Sequence, residues 1–174
     1  DCTMSTLFVN NLNTASGTTI TIPTGKTLKA TDTPIVGAGN AIQIATGRDT
    51  TTLLLNSDSS YHDTGLSVTF TPKYSTSLIL IQCMMGAEAF GTSNTGVGFK
   101  LLKDGSLVYD NDYALYHSNS NDQRIDQVPI LYTENASNTN ARTYKVQMAR
   151  RSGSGSARLN AYAESRMVVT EYAQ

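Results

Sequence analysis

The clearest signal along the chain is the alternation of apolar and polar residues with a period of two. Leu66, Val68 and Phe70 alternate with Ser and Thr until Pro72 ends the run. Because successive side chains of a strand point to opposite faces, this pattern predicts a strand with one buried face. The same pattern predicts strands around two further sets of apolar residues: Val97, Phe99 and Leu101, and Tyr144, Val146 and Met148.

Other segments add strands and turns to this prediction. Residues 78–81 are apolar at every position, which predicts a central strand covered on both faces. Residues 159–163 and 166–170 are predicted as the last two strands, and the last of them is expected to be held in the fold rather than frayed. The Asp104–Gly105 pair favours a tight hairpin turn, and the Ser/Gly-rich residues 151–156 predict a flexible loop. Turn signals about every ten residues, without a long helical pattern, indicate an all-β sandwich or barrel.

The first 47 residues follow a different pattern. Short alternating segments at 18–22, 26–29 and 41–44 are separated by Pro and Gly. Strands this short bury too little apolar surface to fold alone. We therefore predict an extended N-terminal β arm over residues 1–47, which needs the rest of the chain or another copy of it as a partner. Residues 48–174 are predicted to form the β-sandwich head. Met4 is a candidate start of the natural protein.

Composition excludes several classes of protein. The chain has 174 residues, so one domain with a short arm is expected. Thr, Ser and Asn together make up nearly a third of it, and these residues favour strands and turns over helices. Charged residues are 16% with a net charge of −1, which argues against a nucleic-acid-binding protein. No basic segment followed by an apolar one opens the chain, and no apolar run is long enough to span a membrane.

Motifs of catalysis are missing from the sequence. Neither a Gly-x-Ser-x-Gly nor a phosphate-binding Gly-x-x-x-x-Gly-Lys motif occurs, and two histidines with two cysteines give no zinc ligand set. Cys83 lies in an apolar stretch and is predicted to pack as a small hydrophobic residue, with a disulfide to Cys2 as the less favoured alternative. We expect no enzymatic activity, no cofactor and no metal. Two alternatives stay open: a calcium ion at residues 110–112, and paired glycosidase carboxylates among Asp110, Asp112, Asp122 and Asp126.

Residues 109–121 combine tyrosines with small polar side chains. Tyrosine offers a flat apolar ring with a hydroxyl group, and Asn and Ser add adaptable hydrogen bonds, a mixture that suits binding to a glycan or a protein surface. The alternative is that the tyrosines cover the edge of the sandwich. The candidate binding residues are Tyr109, Asp110, Asn111, Asp112, Tyr113, Tyr116, His117 and Asn119.

Charge is distributed unevenly along the second half of the chain. Residues 104–134 hold six acids and one base, whereas residues 141–174 hold six bases and two acids. Facing strands or facing protomers could pair these charges, and solvated strand faces are an equally good interpretation.

Five short segments of the sequence carry a resemblance to a known family. Two are near the start, at residues 4–10 (MSTLFVN) and 16–28 (SGTTITIPTGKTL), and three follow at residues 61–73 (YHDTGLSVTFTPK), 77–81 (SLILI) and 101–106 (LLKDGS). The first two resemble the N-terminal parts, and the other three the distal domains, of bacteriophage virion proteins, particularly fibre-type proteins of phages that infect marine bacteria and cyanobacteria. The resemblance implies a homotrimeric fibre or spike with a jelly-roll head comparable to tumour-necrosis-factor-like or complement-C1q-like heads, whose C-terminal strand lies near the trimer axis.

The function that this resemblance implies is that of a structural protein on the surface of a virion. The arm would bind other virion proteins of the tail or the capsid, and the head would attach to a host-surface glycan or protein. A capsid decoration protein anchored by its arm is the main alternative, and a lectin-like carbohydrate-binding module is another. Neither nucleic acid nor a membrane is expected as a partner.

Overall fold

Strands dominate the computed structural model, which describes Thr24 and residues 38–56, 59–91, 94–118 and 122–174. These residues form ten strands and no helix, as predicted. The strands are β1 (Ala41–Asp49), β2 (Leu53–Leu55), β3 (His62–Phe70), β4 (Leu78–Gly91), β5 (Thr95–Lys103), β6 (Ser106–His117), β7 (Asp122–Asn135), β8 (Arg142–Ser152), β9 (Ser156–Leu159) and β10 (Ser165–Tyr172).

Two antiparallel sheets pack face to face in a jelly-roll-like β-sandwich, which confirms the predicted fold class. The smaller sheet has the order β3-β8-β5-β6. In the larger sheet β4 is central, and β7 pairs with it along the whole length of one edge. The other edge of β4 pairs first with β10 and then with β9, while β1 and β2 extend the sheet beyond them.

The hydrophobic core lies between the two sheets. Every alternating set named from the sequence points into it, so these strand predictions are confirmed. The central strand β4 contributes Ile79, Ile81, Cys83 and Met85, each almost fully buried. Cys83 is a free thiol that is buried in the core, so it packs as the predicted hydrophobic residue. This burial raises its pKa to about 12.

The prediction that residues 78–81 are covered on both faces holds for one face only. Ile79 and Ile81 are fully buried, whereas Leu78 and Leu80 on the opposite face are half-buried. The apolar run therefore correctly indicated that β4 is central in its sheet. On the outer face of that sheet, however, part of the apolar area remains exposed to solvent.

The structure contains the predicted Asp104–Gly105 turn but not the full strand predicted at residues 159–163. Asp104 and Gly105 have φ values of 49° and 82° and join β5 to β6 in the predicted hairpin. The strand predicted at 159–163 was wrong for most of its length, because β9 ends at Leu159. Residues 160–164 leave the sheet before β10 begins at Ser165.

The predicted arm lies largely outside the described residues. The segments at 18–22 and 26–29 are among the parts not described, so the arm stays a prediction. The predicted boundary after residue 47 falls inside β1, which pairs with β10 from Ala41 to Asp49. The sandwich belongs to a unit that extends over Val36–Gln174.

A buried ion-pair cluster joins the two sheets at one end of the sandwich. Glu134 of β7 accepts hydrogen bonds from Arg142 (3.0 Å) and from the hydroxyl of Tyr144 (2.6 Å), both on β8. Lys103 of β5 donates to the second oxygen of Glu134 at 2.5 Å. Burial alone would raise the pKa of Glu134, but these three donors outweigh it and hold the pKa below its usual value.

Candidate functional site

The predicted binding residues lie mainly on β6, an edge strand of the smaller sheet in the described part of the chain. Residues 109–117 therefore belong to a strand rather than to a loop. The pairing with β5 shifts between Phe99↔Asn111 and Val97↔Leu115, so residues 112–114 form a bulge. A bulge redirects the side chains of its strand, and here it turns Asp112 toward neighbouring strands and Tyr113 toward solvent.

Asp112 takes part in a compact polar cluster around Tyr61. The Tyr61 hydroxyl donates to Asp112 Oδ1 at 2.5 Å, and Arg151 donates to Asp112 Oδ2 at 2.9 Å. Lys100 Nζ lies 4.0 Å from the centre of the Tyr61 ring and 3.6 Å from Asp110. Burial and the hydrogen bond to Asp112 raise the pKa of Tyr61, and the same bond lowers the pKa of Asp112. Most polar groups of this cluster pair with one another, whereas the buried Arg151 Nε has no hydrogen-bond partner among the described residues.

Glycine at position 98 makes room for this cluster. A Cβ atom there would lie 2.8 Å from the Tyr61 hydroxyl and 2.9 Å from the backbone oxygen of Asp112. Both distances are shorter than real Cβ contacts, so a larger residue at this position would displace Tyr61.

The exposed part of the predicted site is a pair of tyrosines. Tyr113 is 57% exposed, and its ring meets that of Tyr116 edge to face at 6.2 Å. The Tyr116 hydroxyl donates to Asn94 Oδ1 at 2.8 Å. These rings face solvent, as a binding surface requires.

The remaining predicted residues are not gathered with this pair. Tyr109 packs against the core and His117 is buried, so neither offers its ring to a ligand. Asp110 is exposed, and Asn111 Oδ1 accepts from the backbone N–H of Tyr113. Asn119 lies outside the described residues.

A second surface, not predicted from the sequence, is the outer face of the larger sheet. Ile44 and Leu131 are each 62% exposed, and Met84 on β4 is 42% exposed. The register of β1, β10, β4 and β7 brings these residues onto one face together with Val168 and Pro129. We call Ile44, Met84, Pro129, Leu131 and Val168 the apolar face. A groove of about 670 Å³ runs over it beside Met84, Leu131 and Val168.

The sequence did carry a signal for the apolar face. Residues 128–132 (VPILY) are apolar at every position, so β7 has apolar side chains on both of its faces. A strand with only one face in the core would show polar residues at alternate positions.

Residues 160–164 form a shelf over the outer face of the larger sheet, next to the apolar face. The backbone N–H of Asn160 donates to the Gly86 carbonyl at 2.8 Å, and a Cβ atom on Gly86 would lie 2.1 Å from the Ala163 oxygen. Asn160 also donates to Asp49 (2.8 Å) and accepts from Ser165 (2.6 Å). Only glycine at position 86 permits this close approach of the shelf.

A notch of about 340 Å³ lies between the shelf and β7, lined by Glu88, Ile125, Gln127 and Tyr162 among others. The Glu88 side chain is only 2% exposed, and its Oε2 accepts from Arg158 Nε at 2.5 Å. In the described part of the chain its other oxygen, Oε1, has no hydrogen-bond donor. The hydrogen bond to Glu88 raises the pKa of Arg158, whose guanidinium also lies 5.5 Å from the centre of the Tyr162 ring.

The structure partly confirms the predicted pairing of charges. Two acids of residues 104–134 pair with bases of residues 141–174, namely Glu134 with Arg142 and Asp112 with Arg151. Among the described residues, no three side chains of His, Cys, Asp or Glu converge as metal ligands would. The same part of the chain contains no helix long and apolar enough to cross a membrane.

Comparison with known proteins does not identify a family. No family model matches the sequence, and no curated protein matches it. Dimeric latent PorU from Porphyromonas gingivalis aligns with a TM-score of 0.42 and 9% identity, over 79% of this chain and 13% of PorU. The structure of the infectious bursal disease virus Gt strain aligns with a TM-score of 0.37 and 13% identity, over 84% of this chain and 43% of the viral chain. The structure of T=1 particles derived from that virus aligns with a TM-score of 0.36 and 14% identity, over 84% of this chain and 41% of the viral chain. This chain thus spans less than half the length of each of these proteins, and TM-scores this low assign no function to it.

Proposed function

We propose that this chain is a non-enzymatic structural protein of a bacteriophage particle, a homotrimeric fibre or spike whose sandwich head attaches to the host surface. The main support for the proposed trimer is the apolar face, where Ile44 and Leu131 are each 62% exposed. Grouped exposed apolar side chains mark interaction surfaces, since soluble monomers rarely leave them uncovered. Gln82 and Arg166 lie among those of the apolar face and give it a mixed apolar and polar character.

A second and third copy of the chain are the proposed occupants of the apolar face. The C-terminal strand β10 supplies Val168 to it, as expected for a head whose last strand lies near the trimer axis. The chain also enters the sandwich beside the end of that strand, because Gly39 N–H donates to the Ala173 carbonyl at 2.8 Å. A rotational assembly through this face brings the three entry points to one end, where the arms can bury their short strands against one another.

The mass of the purified chain in solution tests the trimer. We expect three times 18.7 kDa by light scattering or sedimentation, unchanged on moderate dilution. Leu131→Glu places a charge in the apolar face and should yield monomers that keep the β-sheet circular dichroism spectrum. Leu107→Glu is the matched control, since Leu107 is 53% exposed in the β5–β6 hairpin and lies away from that face. A monomer at every concentration would refute the proposal.

Antibody labelling of intact phage particles, viewed by electron microscopy, tests whether the protein is on the tail or on the capsid. Label confined to the tail supports the receptor-binding fibre. Label spread regularly over the capsid assigns the chain to decoration instead, with the arm as its anchor. Absence of label from every particle contradicts a role in the virion.

A further inference from the structure

We propose that Gln82 sets the number of copies in the assembly, because the side-chain amides of three copies meet at the rotation axis and hydrogen-bond to one another in a closed ring. This inference rests on the proposed trimer and deepens it. It names the residue that selects three copies and the contact through which the selection is made.

Gln82 lies in the middle of the apolar face. In the register of the larger sheet it is flanked by Val168 on β10 and by Leu131 on β7. Along β4 its neighbours on the same face are Leu80, which is half-buried, and Met84, which is 42% exposed. The exposed amide of Gln82 is therefore surrounded by apolar side chains on all four sides.

The Gln82 amide has no hydrogen-bond partner within the described part of the chain. In a free protomer, water satisfies this exposed group. When the apolar face is covered the amide loses that water, and burial without a new partner costs free energy. The occupant of the face must therefore supply a donor and an acceptor at this point, which a lipid surface or a purely apolar partner does not.

Another copy of the chain meets this requirement. A glutamine amide donates through its nitrogen and accepts through its oxygen, so it is complementary to a second glutamine amide. In a rotational assembly, the part of the face nearest the axis meets the same part of the other copies. Three amides placed there form a ring in which each donates to the next. Apolar side chains can pack in several registers, whereas such a ring fixes one, as a buried polar residue does in coiled coils.

The charged groups beside Gln82 lie at the border of the apolar face. Arg48 and Arg166 are 63% and 64% exposed, and both donate to Glu164 at the end of the shelf. This ion-pair cluster can stay in contact with water while Gln82 is covered. An apolar centre with a polar rim is the usual composition of a protein–protein interface.

Disulfide formation at position 82 tests whether these side chains meet. The full chain carries Gln82→Cys in a Cys2→Ser background, and oxygen with copper phenanthroline takes up the electrons and protons that the two joining thiols release. We expect a covalent dimer on a non-reducing gel, because a disulfide forms where Cα atoms lie within about 7 Å and the third thiol is left without a partner. Leu107→Cys in the same background is the matched control. Leu107 is 53% exposed and away from the apolar face, so it should give no covalent dimer.

Gln82→Leu tests whether the amides select three copies. Leucine keeps the apolar area but removes the donor and the acceptor. We therefore expect this variant still to associate, but as a mixture of oligomers whose mean mass by light scattering changes with concentration. Gln123→Leu is the matched control, since Gln123 is exposed on β7 opposite Phe90, away from the apolar face, and this variant should stay a trimer of one mass.

The outcomes separate this inference from the proposed function. A trimer that forms no disulfide through position 82, or a Gln82→Leu variant that stays a single trimeric species, refutes the inference and leaves the proposed trimer standing. Covalent dimers of equal yield in the Leu107→Cys control also refute it, because they show random collision rather than a meeting at the axis. An unmodified chain that is monomeric at every concentration refutes the proposed trimer itself, and the inference falls with it.

Discussion

Replacement of Glu134 by Gln gives the most direct test of how the two sheets are held together. Glu134 Oε1 accepts from Arg142 and Tyr144, and Oε2 accepts from Lys103. Glutamine keeps the size of the side chain but loses its charge and one acceptor oxygen. The Arg142 side chain, only 4% exposed, then keeps its bonds to the Ala136 and Asn138 carbonyls but loses its counter-charge.

The magnitude follows from the burial of each partner. Hydrogen bonds to charged groups contribute about 1.5–3 kcal/mol each, and the two bonds to Oε1 come from buried side chains. Lys103 is about one-third exposed, so its share is reduced by solvent. We therefore expect Glu134→Gln to lower the free energy of unfolding by about 2–4 kcal/mol, which lies near the lower end of the range for breaking a buried ion pair. For a chain of this length that is a fall in Tm of about 4–16 °C.

Urea unfolding at a fixed protein concentration, followed by circular dichroism, measures this loss. Asp63→Asn is the matched control, since it makes the same carboxylate-to-amide change in an exposed pair with Lys145 at 2.7 Å. It should cost less than about 1 kcal/mol. If the two variants lose the same free energy, or if Glu134→Gln is neutral, the reasoning from burial is refuted.

Two further predictions concern groups that are buried within single sheets. Burial alone would raise the pKa of Glu171, but the backbone N–H groups of Lys73 and Tyr74 and the side chain of Gln43 outweigh it and lower that pKa. A lowered folded-state pKa adds stability that is present above the unfolded value of about 4.3 and is lost as the pH falls through the folded value. The free energy of unfolding should hence fall on acidification below that point, and Glu171→Gln should flatten the decline; a stability that rises toward pH 3 would contradict this. In a Cys2→Ser background, the Cys83 thiol, with its pKa near 12, should not react with a disulfide reagent in the native protein but should react in urea, and fast native reaction would show that its burial is only transient.

The sequence predicted the strands well because burial and strand geometry share the same period. Leu66, Val68 and Phe70 each reach the core, and the Asp104–Gly105 turn forms where its residues favour positive φ. These features depend on neighbours one or two positions away. Local patterns therefore suffice to find them.

The interruptions of the sheets could not be found in this way. The shelf begins at residue 160 because Asn160 binds Asp49, more than 100 positions earlier in the chain. The bulge on β6 depends likewise on pairing with β5. Contacts of this range leave no periodic signal, so a strand was predicted where the chain leaves the sheet.

In the candidate sites, too, local sequence patterns identified some residues, whereas features that depend on long-range contacts were not found. Tyr113 and Tyr116 were two of the eight candidate binding residues, and the structure places their rings together at the surface; their role in binding stays a prediction. The burial of Glu88 was not predicted, since a single acidic residue at an alternate position of a strand normally indicates a side chain that faces solvent. Its burial follows from Arg158, which β9 places opposite it in the register of β4.

The residues at the two ends of the shelf and the residues between them have different roles in the sandwich. Strands β9 and β10 pair with β4 independently on either side of it. Residues 161–163 can therefore be exchanged without moving a single strand pair, provided that Asn160 and Ser165 still hold the ends. A substitution that keeps the backbone of this short segment therefore alters the outer surface of the head and leaves the strand order of the sandwich unchanged.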